Sequence, residues 1–336
     1  MKKVCILGLG YIGLPTSVLL ANSGFRVFGV DIKKEIIKKI NEGQSHFSEP
    51  GLDDCLQKAI KSGSLSAHLE PLSADVFIIA VPTPFENNIE FNKIPEPNLD
   101  YVMKAAKSIK KVIKPGSLVI LESTSPVGTT QKVADIITSR ENLKKEEFYF
   151  AYSPERVLPG KILEELENLD RVVGTSDNKS RGKAFEFYKS FCKGKIHSTD
   201  TKIAELSKLT ENAYRDVNLA FANEISLICS EININPYELI SLANYHPRVN
   251  ILQPGCGVGG HCIAVDPWFI ASQYPENTKL IQSARLVNNL KPKKIVEQIL
   301  SYEQAFIKKN NRRPTLGVMG LTFKADVDDL RESPAL

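Results

Sequence analysis

The sequence predicts an α/β protein with an N-terminal Rossmann domain, a central dimerisation region built on one long helix, and the start of a truncated C-terminal domain. Three observations carry that reading. Apolar runs and helix-periodic stretches alternate up to about residue 200, the pattern of parallel strands buried on both faces. The first run leads into GLGYIG and, one helix later, into an acid. From about Lys202 to Ile232 apolar residues then recur with a helical period.

Taken in order, Lys3 to Leu7 (KVCIL) reads as the first strand and Gly8-Leu9-Gly10-Tyr11-Ile12-Gly13 as the turn after it. LPTSVLLANSGF reads as a helix and RVFGVD as a second strand ending in Asp31. Strand, GxGxxG, helix, strand and acid in this order form the dinucleotide-binding fingerprint. The glycines permit a tight turn and let the helix N-terminus approach a pyrophosphate. Gly8, Gly10, Tyr11, Ile12 and Gly13 are thus candidate cofactor contacts, and Asp31 accepts hydrogen bonds from the adenosine ribose. With nothing basic immediately after Asp31 until Lys33, that carboxylate would repel a 2'-phosphate, so NAD is expected rather than NADP.

ADVFIIAVPTP and SLVILESTSPV are the next strands, each closing on Thr and Pro. In an open α/β sheet the cofactor lies at that edge, so Thr83 and Thr124 either line the nicotinamide pocket or cap the helices that follow. FYFAYSPE, DRVVGT and KIHST continue the strands, which sets domain boundaries at 1–200, 201–300 and 301–336.

In the long helix Leu206, Leu209, Ala213, Val217, Ala220 and Ile228 mark an apolar stripe. Lys208 and Asn212 fall four apart on another face, where on spacing alone they read as solvated. A second helix starts at Asn235 as N-cap, with Pro236 at its first position and Glu238 placed to close a capping box, and ends before His246-Pro247. This helical middle, to about residue 300, reads as a spacer and a dimer surface.

QPGCGVGGHCIAVDPW follows, a glycine-rich cradle with Cys262 at its end, where a helix is expected to begin. Alone, a cysteine such as Cys262 is more often a small buried hydrophobe than a nucleophile. At a helix N-terminus, however, the macrodipole favours the thiolate that attacks carbonyl carbon, and Asp266 sits one turn away on the same face. Beyond it, Leu316 to Met319 reads as a strand and Ser333-Pro334 as a helix start close to the last residue, so the chain is expected to stop within a third domain.

Composition bounds the function. A net charge of +4, dispersed over 336 residues, argues against nucleic acid and suits a phosphorylated substrate. The six cysteines lack a framework spacing, as reduced thiols in a cytoplasm do, and Cys256, His261 and Cys262 have no accompanying metal-ligand pair, so no metal is expected. No run reaches transmembrane length, and glycines break the N-terminal run where a signal peptide would continue, so no membrane attachment is expected.

GLGYIGLP, VDI, VPTP, ESTSPVGTT, SPER, ELSKLTENAYRDVNLAFANE, PGCGVGGHCIAVDP and GLTFKADVDDLRESPA together resemble the nucleotide-sugar 6-dehydrogenases, which include UDP-glucose and UDP-N-acetylhexosamine dehydrogenases. The resemblance spans the chain, and HPRVN before the loop with AVDPWF after the cysteine is most similar to the UDP-N-acetyl-D-mannosamine branch. It implies two Rossmann-like domains joined by a central helix, a homodimer, and a UDP-N-acetylhexosamine whose C6 hydroxyl is oxidised twice by NAD to a uronate.

The same resemblance implies that Cys262 traps the aldehyde as a thiohemiacetal and then a thioester, with Lys208 and Asn212 stabilising the oxyanion and Asp266 positioning water. Glu155 would assist thioester hydrolysis and Thr124 order the water. Arg156, Lys161, Arg248, Gly259, Lys324 and Arg331 match positions that meet the sugar nucleotide. Two alternatives stay open: another UDP-hexose such as UDP-N-acetylglucosamine, or a non-catalytic fragment that binds NAD and dimerises.

Overall fold

The computed structural model describes residues 2–86, 94–139, 147–260, 262–322 and 330–336. It forms two compact units, Met1–Lys208 and Leu209–Leu336.

In the first unit the elements follow as β1 (Lys3–Leu7), α1 (Gly13–Asn22), β2 (Arg26–Val30), α2 (Lys34–Asn41), α3 (Leu52–Lys61), β3 (Leu65–His68), β4 (Val76–Ile79), α4 (Asp100–Ile109), β5 (Leu118–Leu121), α5 (Thr129–Thr138), β6 (Tyr149–Tyr152), α6 (Ile162–Asn168), β7 (Arg171–Thr175), α7 (Asn178–Lys189) and β8 (Ile196–Thr199). The eight strands make one sheet in the order β3-β2-β1-β4-β5-β6-β7-β8. All neighbours run parallel except β6 and β7. The order reverses direction between β1 and β4, which opens a crevice at the carboxyl ends of those strands.

Helices cover both faces, so both side-chain sets of a strand are apolar. Val4, Ile6, Val27, Ile78 and Ile120 pack on one side, and Leu7, Phe28, Phe77, Ile79 and Leu121 on the other. Cys5 lies in this second layer, where burial pushes its thiol up to about 12, so it is an inert core side chain. α8 (Thr201–Glu231) leaves the first unit with its start bound to α5. The buried Glu205 carboxylate accepts from the backbone N–H groups of Gly128 (2.6 Å) and Thr130 (2.8 Å) and from the Thr130 hydroxyl (2.7 Å), placing an anion on the positive end of α5.

The second unit contains the remainder of α8, then α9 (Pro236–Ala243), α10 (Asp266–Gln273) and α11 (Lys279–Asn310). Asn235 caps α9 as expected, its side chain accepting from Tyr237 N–H at 2.9 Å. Three expectations need correction. In α8 the ends of the expected stripe, Leu206 and Ile228, are exposed, while Asp216, Asn223 and Ser226 share the buried face with Leu209, Ala213 and Ala220. α11 passes the expected boundary at residue 300 and carries Pro292 inside it. Leu316 to Met319 forms no strand: with no partner strand in this unit among the described residues, Val318 and Met319 remain in solvent.

Candidate active site

In the first unit the glycine loop after β1 is shaped by two different constraints. A Cβ on Gly8 (φ +93°) would overlap the Ala80 carbonyl, and one on Gly13 would overlap the Gly8 carbonyl, so the fold itself excludes side chains at both. At Gly10 a Cβ would meet nothing within 4 Å. The fold leaves that side of the loop open, as a bound pyrophosphate requires at the middle glycine. Tyr11 stacks on Phe47 at 4.4 Å between ring centres, and Ile12 precedes the first residue of α1.

Asp31 follows β2, and its carboxylate accepts from Leu9 N–H (3.1 Å) and Lys33 N–H (3.0 Å). The acid therefore braces the glycine loop at the carboxyl end of β2. Across the crevice Thr83 donates its hydroxyl to the Thr124 carbonyl at 2.8 Å, joining the segments after β4 and β5. The open side of the loop at Gly10 and the carboxylate beside it are groups that suit a dinucleotide, the chain supplying backbone donors at the helix start and an acid for the ribose.

Glu155, beyond β6, enters a buried polar cluster. Its carboxylate pairs with the guanidinium of Arg171, which also donates to the Leu166 carbonyl (3.0 Å) and to Cys192 Sγ (3.0 Å). Tyr188 donates to Glu122 Oε1 at 3.2 Å. Burial, reinforced by the neighbouring Glu155 charge, pushes Glu122 up to about 8, so it is protonated at neutral pH while Glu155 keeps the Arg171 charge. Arg156 donates to the Asp170 carbonyl at 2.5 Å. Lys161 stands at the start of α6, in a turn held by the Glu49 carboxylate, which accepts from Gly160 and Ile162 N–H at 2.8 Å each.

In the second unit the thiol loop reaches Cys262, a half-buried residue on a turn that precedes α10 rather than on its first residue. The Cys262 carbonyl accepts from Asp266 N–H at 2.8 Å, which closes one helical turn between them. Asp266 is buried at the start of α10, and its Oδ2 accepts from Asn212 Nδ2 at 2.5 Å. Spacing alone suggested a solvated Asn212; instead it is tied to the carboxylate one turn beyond the thiol. Lys208, one turn before Asn212 on α8, is 8 % exposed, against the solvated reading of its spacing.

Gly259 is half-buried in the loop and Gly260 N–H donates to the Arg331 carbonyl at 3.2 Å. Arg248 is exposed beside His246, on a turn closed by Asn244, whose amide bonds Ile251 N–H (2.7 Å) and carbonyl (3.0 Å). His261 and Lys324 lie outside the described residues. Glu49, Glu122, Arg171 and Glu205 escaped the sequence reading. A carboxylate that serves distant backbone N–H groups leaves no local spacing, although Glu205 three residues before Lys208 does carry helical periodicity.

Residues 2–192 match the NAD binding domain of the UDP-glucose/GDP-mannose dehydrogenase family and residues 202–290 match its central domain. Among curated relatives, the UDP-N-acetyl-D-mannosamine dehydrogenase of Campylobacter jejuni is 49% identical over 100% of this chain and 82% of its own length. The NDP-N-acetyl-D-galactosaminuronic acid dehydrogenase of Ralstonia nicotianae is 47% identical over 100% and 78%. Among solved structures, the UDP-N-acetyl-mannosamine dehydrogenase of Staphylococcus aureus superposes with a TM-score of 0.88 at 44% identity, over 99% of this chain and 77% of that one. The corresponding enzyme of Pyrococcus horikoshii gives 0.87 at 40% identity, over 99% and 79%.

Proposed function

Because the chain belongs to the UDP-glucose/GDP-mannose dehydrogenase family and is an NAD-dependent oxidoreductase, we propose that it oxidises UDP-N-acetyl-D-mannosamine at C6 to the uronate. The reaction would serve a bacterial surface polysaccharide from the cytoplasm. One observation carries the covalent part of this reading: the hydrogen-bonded Asn212–Asp266 pair lies one turn beyond the Cys262 thiol.

NAD, when bound, supplies the hydride acceptor for each of two oxidations. After the first, the Cys262 sulfur adds to the C6 aldehyde and its proton passes to the new hydroxyl, giving a thiohemiacetal. Loss of hydride from C6 and of the hydroxyl proton leaves a thioester, and water cleaves it to the carboxylate and the thiol. Asn212 keeps a neutral amide donor near the developing oxyanion, while the Asp266 carboxylate it binds positions water. Lys208 would add a positive charge to the same oxygen, Thr124 order the water and Glu155 assist hydrolysis. Arg156, Arg248, Gly259, Lys324 and Arg331 would hold the UDP-sugar.

We further propose a homodimer through α8 and α9, where exposed Tyr214, Phe221 and Ile228 recur every seven residues. A second substrate reading, a UDP-N-acetylgalactosamine-type sugar, is favoured by the similarly close Ralstonia relative. NADH formation measured against a panel of UDP-N-acetylhexosamines decides between them. Turnover with UDP-N-acetylmannosamine at a kcat/KM well above every other sugar is expected, and preference for another sugar would replace the assignment.

A further inference from the structure

The buried face of α8 in the second unit carries polar side chains where a helix of this kind would present apolar ones. Asp216, Asn223 and Ser226 are buried, and so are Arg285, Asn288 and Lys291 on α11. Apolar residues of similar volume would cost the fold less desolvation, so stability alone does not account for the choice.

The hydrogen bonds run in one direction. The Asp216 carboxylate can only accept while it is charged, and Arg285 Nη1 holds that charge at 2.6 Å. Asn288 must therefore turn its Nδ2 toward Asp216, 2.8 Å from Oδ1 and 3.1 Å from the backbone carbonyl. Its Oδ1 then faces Asn223, whose Nδ2 donates to it at 2.9 Å. This leaves Asn223 Oδ1 to accept from Gly255 N–H, also at 2.9 Å. Neither amide can flip without setting donor against donor or acceptor against acceptor.

The backbone of Asn223 is held too, because Ser226 donates to its carbonyl at 2.7 Å while accepting from Lys291 Nζ at 2.5 Å. Gly255 opens the thiol loop, and that loop packs on α11: a Cβ on Gly257 would come within 2.8 Å of Pro292. At its far end the Cys262 carbonyl is fixed by Asp266 N–H.

We propose that Arg285, Asp216, Asn288 and Asn223 form a positioning relay that sets the Gly255–Cys262 loop, and so the sulfur, for attack on the substrate aldehyde. The relay rests on the reading of Cys262 as nucleophile. These four residues touch no reacting atom; they act through Gly255.

The test uses the full chain with Asn288→Leu and, separately, Asn223→Asp, which keeps the acceptor for Gly255 but loses the donor to Asn288. Three quantities are followed: kcat, KM for NAD, and the iodoacetamide alkylation rates of Cys262 and of Cys256, the exposed thiol of the same loop, across pH. Each variant should lose roughly 10- to 100-fold in kcat, the scale of a small misplacement of a reacting group, with KM for NAD unchanged. Cys262 alkylation should change several-fold relative to Cys256. For Asn223→Asp the variant-to-parent kcat ratio should climb as pH falls, because a protonated carboxyl regains an O–H donor.

Should Asn288→Leu fail to fold, Asn223→Asp carries the measurement. A folded variant with kcat and Cys262 alkylation both within twofold of the parent would overturn the relay. So would full additivity in the Asn223→Asp/Asn288→Leu double variant, since members of one relay cannot each be lost independently. Full uronate output from Cys262→Ser would sink the nucleophile instead, a failure that the alkylation readout keeps separate from that of the relay.

Discussion

At the scale of single residues, three side chains carry distinct expectations. Cys262→Ser should lower uronate formation by roughly 10³-fold or more while NAD binding persists, because a hydroxyl is too weak a nucleophile at neutral pH to form the acyl intermediate. Product analysis together with calorimetric NAD titration checks both halves. Asp31→Ala should weaken NAD by about 1.5–3 kcal/mol, the worth of charge-assisted bonds to the ribose. Because Asp31 also holds Leu9 and Lys33 N–H, the titration is paired with a melting curve of the unliganded variant. An unchanged Kd removes the residue from the cofactor site. Glu122 concerns stability. Its carboxyl is pushed from 4.5 to about 8 by burial and by Glu155, so between those values the unfolded chain releases a proton that the folded chain keeps. Its contribution to stability is therefore present below pH 4.5, declines as pH rises to about 8, and stays level beyond. Glu122→Gln should thus gain stability over the parent progressively across that window, read by denaturant unfolding at a series of pH values. A constant difference would mean that Glu122 is ionised in the fold.

At the scale of elements, what the sequence made legible follows from how local each signal is. β1, α1 and β2 and the fingerprint they carry were readable because strand, glycines and acid are contiguous, and both faces of a parallel strand are apolar. The cap at Asn235 was readable for the same reason. The buried face of α8 was misread because hydrophobic periodicity cannot register Asp216 or Asn223, which are buried on account of Arg285 and Asn288 more than sixty residues away. The burial of Lys208 was missed for the converse reason, since a helical spacing reports neighbours on its own helix and nothing of what covers it. The strand expected at Leu316 to Met319 shows that an apolar run becomes a strand only beside a partner. α5 offers the sharpest test at this scale. Its first turn depends on Glu205, a residue of another helix, for three hydrogen bonds. Glu205→Ala leaves those buried donors unmet and should destabilise the fold by about 2–4 kcal/mol. Denaturant unfolding measures it, and a change under about 0.5 kcal/mol would mean that the anion does not support the helix start.

At the scale of the whole molecule the exposed stripe of α8 carries the proposed self-association. Tyr214 is 72 % exposed, Phe221 51 % and Ile228 49 %, and Leu242 in the last turn of α9 and Tyr245 just after it add 60 % and 81 %. Scattered apolar side chains are ordinary on a protein surface, but a seven-residue repeat drifts only slightly around a helix, so Tyr214, Phe221 and Ile228 lie along one side of it. Asn218 stands between Tyr214 and Phe221 on that side and Glu224 between Phe221 and Ile228, so a partner that covers the stripe also meets these two polar side chains. A second copy presenting the same stripe across a two-fold axis would cover it, each helix meeting its equivalent. Phe221→Asp puts two like charges near that axis, whereas on a monomer it replaces an exposed ring with an exposed carboxylate at little cost. Light scattering should accordingly give twice the chain mass for the parent and the single chain mass for the variant, with similar unfolding of each unit. A parent that is monomeric at micromolar concentration, or a variant that remains a dimer, would remove the stripe from the interface.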